Sequence, residues 1–171
     1  MSKNVIKNTR HLFFRTISSY FFGQPCRGVD MNRNWNFHWG EIGASDDPCH
    51  ETYAGPRPFS EPETRAISDF IMDRKDRIKL YLTMHAYSQM WLVPWGYTSK
   101  RAGDYEDLMS MGRKAVEALH RVSGTQYKVG PATSLLYPTS GEKHSCADHT
   151  PLLFIRVFLN NIVETGGGAT K

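Results

Sequence analysis

The 171-residue sequence has no run of about 18 apolar residues, no cluster of basic residues and no internal repeat. The first absence argues against a membrane-spanning helix, and the last argues against a repeat architecture. The 21 Lys and Arg residues are dispersed among 17 Asp and Glu, and the formal net charge is only +4. Nucleic acid and anionic membrane surfaces are therefore not expected partners.

The N-terminal segment lacks the pattern of a secretory signal peptide. Residues 1–10 are polar, and the apolar patch at 12–22 is interrupted by Arg15 and has no small-residue cleavage site. We therefore identify no secretion signal in residues 1–25. The chain also lacks a linker-like stretch, and with 40% hydrophobic residues it is expected to form one globular domain with a real core.

An alternating pattern predicts a strand that ends at His85. Apolar residues at positions 78, 80, 82 and 84 alternate with more polar ones, so one face of this strand is the more apolar. At the carboxyl ends of strands in open α/β sheets, side chains leave the packed sheet and meet loops where ligands bind. His85 is thus a candidate metal ligand or proton-transfer group. The alternative is a hydrogen-bonded structural histidine.

Other patterns predict two amphipathic helices and several short strands. Ser60 followed by Pro62 is a helix start signal, and apolar residues at 66, 67, 70 and 71 share one side of that helix. A second helix is predicted from about Asp104 to Val122, with Gly124 as its stop. This order of elements indicates an α/β layered fold. Further candidate strands lie at 28–30 and 127–129 and in the apolar run at 91–95, and the apolar stretch at 152–163 suits a strand or a short helix.

Asn32 and Arg33 are candidate ligands for a carboxylate. The planar fork of Arg33 suits a carboxylate, and the Asn32 amide adds donors beside it. The alternative is a solvated loop in which Trp35 anchors the chain to the core. Cys26 and Cys49 flank this loop. In an oxidising compartment, a disulfide between them would stabilise the fold by about 3 kcal/mol and would leave Cys146 over.

Several blocks of residues, in this order along the chain, carry a family resemblance. They are Cys26-x-Gly-Val-Asp-x-Asn-Arg-Asn-Trp35, the Gly- and Cys-containing stretch 43–53, Phe59-Ser-Glu-Pro-Glu63, His85-x-Tyr-Ser-Gln89 and Pro94-x-Gly-Tyr97. Together they resemble the pancreatic-type zinc carboxypeptidases, the A and B family. The resemblance implies an α/β fold with a partial mixed β-sheet and flanking helices. It divides the chain into residues 1–25 without a firm match, a partial catalytic domain at 26–141 and a divergent tail at 142–171.

The resemblance also implies roles for single residues. His85 is similar to the last of three protein ligands of the family's zinc ion. Asn32 and Arg33 are similar to the pair that grips the terminal carboxylate of the substrate. Tyr87 resembles a subsite aromatic residue, and Tyr137 resembles the mobile tyrosine that closes over bound substrate.

The family's disulfide corresponds to Cys26 and Cys49. Two other family features are not recognisable here: a His-x-x-Glu ligand pair upstream of Cys26, and a catalytic Glu on a late strand. Glu164 is a weak candidate for that Glu. The spelling His-x-x-Glu does occur at 38–41, but it follows the Asn32 block instead of preceding it, and we expect a surface loop there.

The expected function is that of a zinc metallocarboxypeptidase, which removes C-terminal residues from peptides, at an extracellular location. With one zinc ligand of three and no firm catalytic Glu, the truncated chain itself is expected to hold zinc poorly and to be inactive. One alternative is a non-catalytic module that binds peptide C-termini, an inhibitor or a pro-segment through Asn32 and Arg33. Another is a fragment with no independent role.

Overall fold

The computed structural model describes residues 6–8, 20–21, 24–26, 28–85, 88–141 and 153–158, with backbone alone at 6–8, 20–21, 24–25 and 153–158. No helix among these residues is long and apolar enough to cross a membrane. The elements in chain order are β1 (Ile6–Asn8), β2 (Tyr20–Phe21), β3 (Gln24–Pro25), α1 (Pro62–Met72), β4 (Leu80–His85), β5 (Met90–Val93), α2 (Tyr105–Ser123), β6 (Lys128–Pro131), α3 (Ala132–Leu135) and β7 (Leu153–Phe158).

Five of the strands form one mixed sheet, in the spatial order β1-β4-β7-β5-β6, and β2 pairs with β3 separately. β5 runs antiparallel to β7, whereas the other pairs of the larger sheet are parallel. The predicted α/β class with a mixed sheet is therefore confirmed. β4 is an interior strand, so His85 lies at the carboxyl end of a strand with neighbours on both sides.

The two faces of β4 pack into two different core clusters. On one face, Tyr81 contacts a cluster with Trp35 and Ile71. The opposite face, with Leu80, Leu82 and Met84, packs against β5 and α2. The face that carries Tyr81, Thr83 and His85 is the more deeply buried one although it is the more polar. Alternation in the sequence did not indicate this, because both faces of a central strand are covered.

The first predicted helix exists, but its start and its buried side differ from the prediction. α1 follows Glu61 and has no side-chain cap, because the Ser60 hydroxyl donates to the Glu61 carboxylate and accepts a hydrogen bond from Asn34 instead. The buried residues of α1 are Thr64, Ser68 and Ile71, and the predicted Ala66 and Phe70 are exposed. Hydrogen-bonding partners at 34 and 61 therefore turn the helix so that a polar threonine faces inward.

The remaining predictions of helices and strands are confirmed in part and wrong in part. α2 forms where predicted and ends at Gly124 in the left-handed conformation, but Val122 of its last turn is 89% exposed. Strands β5, β6 and β7 form within or next to the predicted stretches. Residues 28–30 do not form a strand, because Gly28 has φ of 80° and Asp30 makes a single backbone bond to Tyr53 rather than a ladder.

Candidate carboxylate-binding site

The carboxylate loop, residues 30–35, holds the guanidinium of Arg33 in a fixed position. Arg33 is only 4% exposed, and its Nε donates to the Gly43 carbonyl at 2.8 Å. Its Nη1 donates to the Asn32 carbonyl at 3.2 Å and lies 3.6 Å from a carboxylate oxygen of Asp30. Within the described part of the chain, Nη2 donates no hydrogen bond. One amino group of a rigid, partly neutralised guanidinium is therefore left to bind an anion.

Asn32 lies beside this guanidinium in a turn fixed by its own backbone. Its amide N–H donates to the side-chain Oδ1 of Asp30 at 2.9 Å. The side-chain Oδ1 of Asn32 is buried and has no hydrogen-bond partner among the described residues. Rotation of the amide by 180° exchanges oxygen and nitrogen, so the same position can present a donor to a carboxylate. A buried polar atom without a partner is costly, and an incoming ligand group would remove that cost.

Asn34, the next polar residue, is committed to the fold instead. It is fully buried, and its Nδ2 lies at 2.8–3.1 Å from the Ala54 carbonyl, the Arg57 carbonyl and the Ser60 hydroxyl. Its Oδ1 accepts from the Glu61 amide at 3.1 Å and from the Thr64 hydroxyl at 2.9 Å. Asn34 thus ties the carboxylate loop to the start of α1. No sequence signal distinguished it from its neighbours.

A second segment, residues 139–141, holds the carboxylate loop from the other side. The Trp35 amide donates to the Gly141 carbonyl at 3.0 Å, and the Gly141 amide donates to the Phe37 carbonyl at 3.1 Å. Gly141 has φ of 63°, and a Cβ on it would lie 2.3 Å from the carbonyl oxygen of Arg33. Only glycine fits this close approach, so the Gly141 position is required for the observed loop geometry.

Tyr137 lies just before this clamping segment and is 63% exposed. The clamp itself is anchored by Thr139, whose amide donates to the Gly96 carbonyl, and by Ser140, which exchanges hydrogen bonds with the backbone of Ile42. Tyr137 is therefore an exposed aromatic residue two positions before segment 139–141, which contacts the carboxylate loop. A side chain so placed can move without disturbing the core.

His85 ends the strand whose Tyr81 packs against the carboxylate loop. It is 9% exposed and shares the inward face of β4 with Tyr81, which packs against Trp35 of the carboxylate loop. The other predicted site residues, Tyr87 and Glu164, lie outside the described residues. The structure thus connects the carboxylate loop with the strand of His85 and with the segment after Tyr137.

The predicted disulfide between Cys26 and Cys49 is present. The two Cα atoms lie 4.5 Å apart, within the range that a disulfide allows. Cys26 is buried, whereas Cys49 is exposed in the 40–53 loop. The bridge therefore closes a loop that contains Asn32, Arg33 and Asn34.

The His38–Glu41 pair forms a surface turn. His38 Nδ1 and Glu41 Oε2 are 2.7 Å apart, their side chains are 33% and 57% exposed, and the His38 ring stacks on Tyr97 at 3.7 Å between centroids. Among the described residues, no group of three His, Cys, Asp or Glu side chains could hold a metal ion. The two side chains of this turn are bonded to each other.

Comparison with known proteins is consistent with these features. A family model described as zinc carboxypeptidase matches residues 3–151. Carboxypeptidase B of Astacus astacus is 51% identical over 116 residues, which are 68% of this chain and 38% of that protein. Carboxypeptidase B of Rattus norvegicus is 44% identical over 133 residues, 78% of this chain and 32% of that protein. The chain therefore spans well under half the length of these curated relatives.

Solved structures of the same kind share the fold. Bovine thrombin-activatable fibrinolysis inhibitor, in complex with tick carboxypeptidase inhibitor, superposes with a TM-score of 0.76 at 33% identity. The match covers 85% of this chain and 50% of that one. Carboxypeptidase A from Helicoverpa armigera gives a TM-score of 0.75 at 31% identity, over 85% of this chain and 36% of that one.

Proposed function

The chain belongs to the zinc carboxypeptidase family, and from this premise we propose that its site binds the C-terminal carboxylate of peptides through Asn32 and Arg33. The observation that carries the proposal is the guanidinium of Arg33, which Gly43 and Asp30 hold while Nη2 stays uncommitted within the described part. A side chain that is already ordered loses little entropy on binding, so a carboxylate gains most of the charge-assisted bond.

The further roles in this proposal are those of a metallocarboxypeptidase, which removes the residue that carries the bound carboxylate. His85 is a zinc ligand, Tyr137 closes over the bound peptide and Tyr87 lines a subsite. The position of His85 at the carboxyl end of an interior strand supports the first role. The exposure of Tyr137 next to the clamp supports the second.

Zinc chemistry needs more ligands than the described residues supply. The family description implies zinc, which when bound polarises a carbonyl and activates water, and a catalytic site needs three protein ligands. The described ranges contain His85 but no group of three suitable side chains, so they do not by themselves fit the ion. We therefore assign no hydrolytic step to these residues.

Strand β7, next to the strand of His85, also carries no carboxylate that could act as a catalytic base. β7 pairs with β4 so that Phe158 lies opposite His85, and residues 153–158 include no Asp or Glu. The one weak candidate for a base, Glu164, follows this strand outside the described residues. We propose that the 171 residues on their own bind peptide C-termini without cleaving them.

The same carboxylate grip suits a protein partner as a second candidate function. One structural neighbour is bound to a carboxypeptidase inhibitor, and an inhibitor or pro-segment that presents a carboxylate would meet the same Arg33. We also propose an extracellular location, which the Cys26–Cys49 bridge supports, because disulfides persist in oxidising compartments. The division of the chain at residues 26 and 141 stays a prediction.

A peptide and its C-terminally amidated twin test the binding proposal. The free carboxylate should bind more tightly by about 1.5–3 kcal/mol, because the bond to Arg33 is charge-assisted. Arg33→Lys, which keeps the charge but loses the planar fork, should reduce this difference. The control Arg113→Lys, on an exposed position of α2, should not. Equal affinities of the two peptides for the unaltered chain would refute the proposal.

A hydrolysis assay with added zinc tests the proposal that the chain binds peptides without cleaving them. A flat progress curve for a peptide substrate is expected from the 171 residues alone. Zinc-dependent turnover that a chelator and His85→Ala both abolish would show instead that the chain is a complete catalyst.

A further inference from the structure

A groove of about 530 Å³ opens at the end of the sheet where β4 terminates and where β5 and β6 begin. The strand directions place these three ends together, since β4 is parallel to β7 and β7 is antiparallel to β5. His85 pairs with Phe158, Phe158 pairs with Met90, and Met90 pairs with Lys128. The groove therefore extends sideways from the strand of His85, and none of its lining residues belongs to the carboxylate loop.

The lining of the groove combines polar groups with an apolar part. Met90 and Leu135 contribute the apolar surface. The side chains of Gln89, Gln126 and Tyr127 also line it and make no hydrogen bond within the described part of the chain. Amide and phenol groups of this kind can pair with the N–H and C=O groups of an extended peptide backbone.

Lys128 is the one charged residue that lines the groove in the described part of the chain. It is exposed, and its ammonium forms no ion pair with any described residue. Its backbone is fixed, because its amide donates to the Gln89 carbonyl at 3.0 Å. The groove therefore presents a positively charged donor to whatever binds in it, and an acidic side chain complements it.

The strand pairing sets the distance between this donor and His85. Three neighbouring strand spacings separate the backbones of His85 and Lys128, which amounts to about 14 Å. An extended peptide covers that distance with about four residues, and the flexible lysine side chain widens the range by about one residue either way.

We propose that this groove binds the segment of a peptide that precedes its C-terminus, and that Lys128 selects peptides with Asp or Glu about three to five residues before the C-terminus. The inference rests on the proposed function, in which Arg33 binds the terminal carboxylate and His85 lies near the peptide bond that precedes the last residue. Lys128 Nζ donates to the acidic side chain, while Gln89 and Gln126 pair with the peptide backbone.

Titration of the full chain with matched peptides tests this inference. The probes are heptapeptides with a free C-terminus that differ only by Asp or Asn at the fourth residue from the end. Since Lys128 is exposed, the Asp peptide should bind about two- to fivefold more tightly at low ionic strength. Screening should reduce this difference in about 0.5 M salt.

Variants assign the effect to one side chain. Lys128→Gln should abolish the preference for Asp, Lys128→Arg should retain it, and Lys114→Gln, on an exposed position of α2, should leave it unchanged. Equal binding of the Asp and Asn peptides by the unaltered chain, or a preference that survives Lys128→Gln, would overturn the inference. The amidated heptapeptides separate the two proposals. If free and amidated peptides bind equally while the preference for Asp remains, the result counts against Arg33 and not against Lys128.

Discussion

The carboxylate loop at 30–35 and the turn at 38–41 contain similar polar residues, yet they differ in what their side chains contact. In the loop, Arg33 and Asn34 are buried and bond to Gly43 and to the segment at 54–64. In the turn, His38 and Glu41 are exposed and bond to each other. Polar residues that hold distant segments together contribute to the fold, whereas a local exposed pair contributes little.

Two adjacent residues of the carboxylate loop, Arg33 and Asn34, also differ in how many of their polar groups are bonded. Asn34 uses both ends of its amide on other segments, and Arg33 keeps one amino group uncommitted among the described residues. We infer that Asn34 holds the loop in place so that Arg33 can bind a ligand. Four predictions test this contrast between loop and turn, in order of decreasing expected effect.

Asn34→Ala should have the largest effect. It leaves several buried groups without partners, among them the Thr64 hydroxyl and the Ala54 carbonyl, so the free energy of unfolding should fall by about 3–5 kcal/mol. Chemical denaturation measures this change. Asn36→Ala, at an exposed position two residues later, is the matched control and should change stability by less than about 0.5 kcal/mol. Similar losses in the two variants would remove the special role of Asn34.

Replacement of Cys26 and Cys49 together by serine should have the next largest effect. The bridge spans 23 residues and encloses both regions, so its loss should lower the free energy of unfolding by about 3 kcal/mol through the entropy of the unfolded chain. Denaturation with and without reductant measures the effect, and reductant should alter the unreplaced chain alone. A reductant effect that persists in the double variant would point to Cys146 instead.

Gly141→Ala and Gly40→Ala compare loop and turn at equal backbone cost. Both glycines have positive φ, 63° and 75°, but a Cβ would lie 2.3 Å from the Arg33 carbonyl oxygen in the first case and would meet nothing within 4 Å in the second. Gly141→Ala should therefore be more destabilising than Gly40→Ala by about 1–2 kcal/mol. It should also weaken binding of free-carboxylate peptides, which titration detects. Equal effects would mean that the carboxylate loop shifts to make room for the added Cβ without a loss of stability.

Glu41→Gln should have the smallest effect. It removes the negative charge that faces His38, but both side chains are solvent-accessible, so stability should change by less than about 0.5 kcal/mol. Thermal melts at low and high salt measure this. Zinc affinity of the chain should also be unchanged. A loss of zinc binding in this variant would restore the pair at 38–41 as a metal site.

Local patterns in the sequence were sufficient for much of this structure. Periodic apolar residues and Gly124 predicted α2, alternation predicted the strand that ends at His85, and the apolar stretch at 152–163 contains β7. The chemistry of the polar residues at 32–33 already made Arg33 a candidate ligand, and the family motifs assigned it the same role and predicted the Cys26–Cys49 bridge. These features depend on residues that are close in sequence or on spacings that a motif records.

Only the tertiary structure decided which polar residues are buried and which stay uncommitted. Asn34 and Ser60 look like ordinary loop residues until residues 34 and 54–64 meet, and Thr64 then faces inward where an apolar side of α1 was predicted. Lys128 acquires a groove only because strand order brings β6 to the same edge as His85. The physical reason is that burial and hydrogen-bond partners arise between segments far apart in the chain, whereas sequence patterns report only on neighbours.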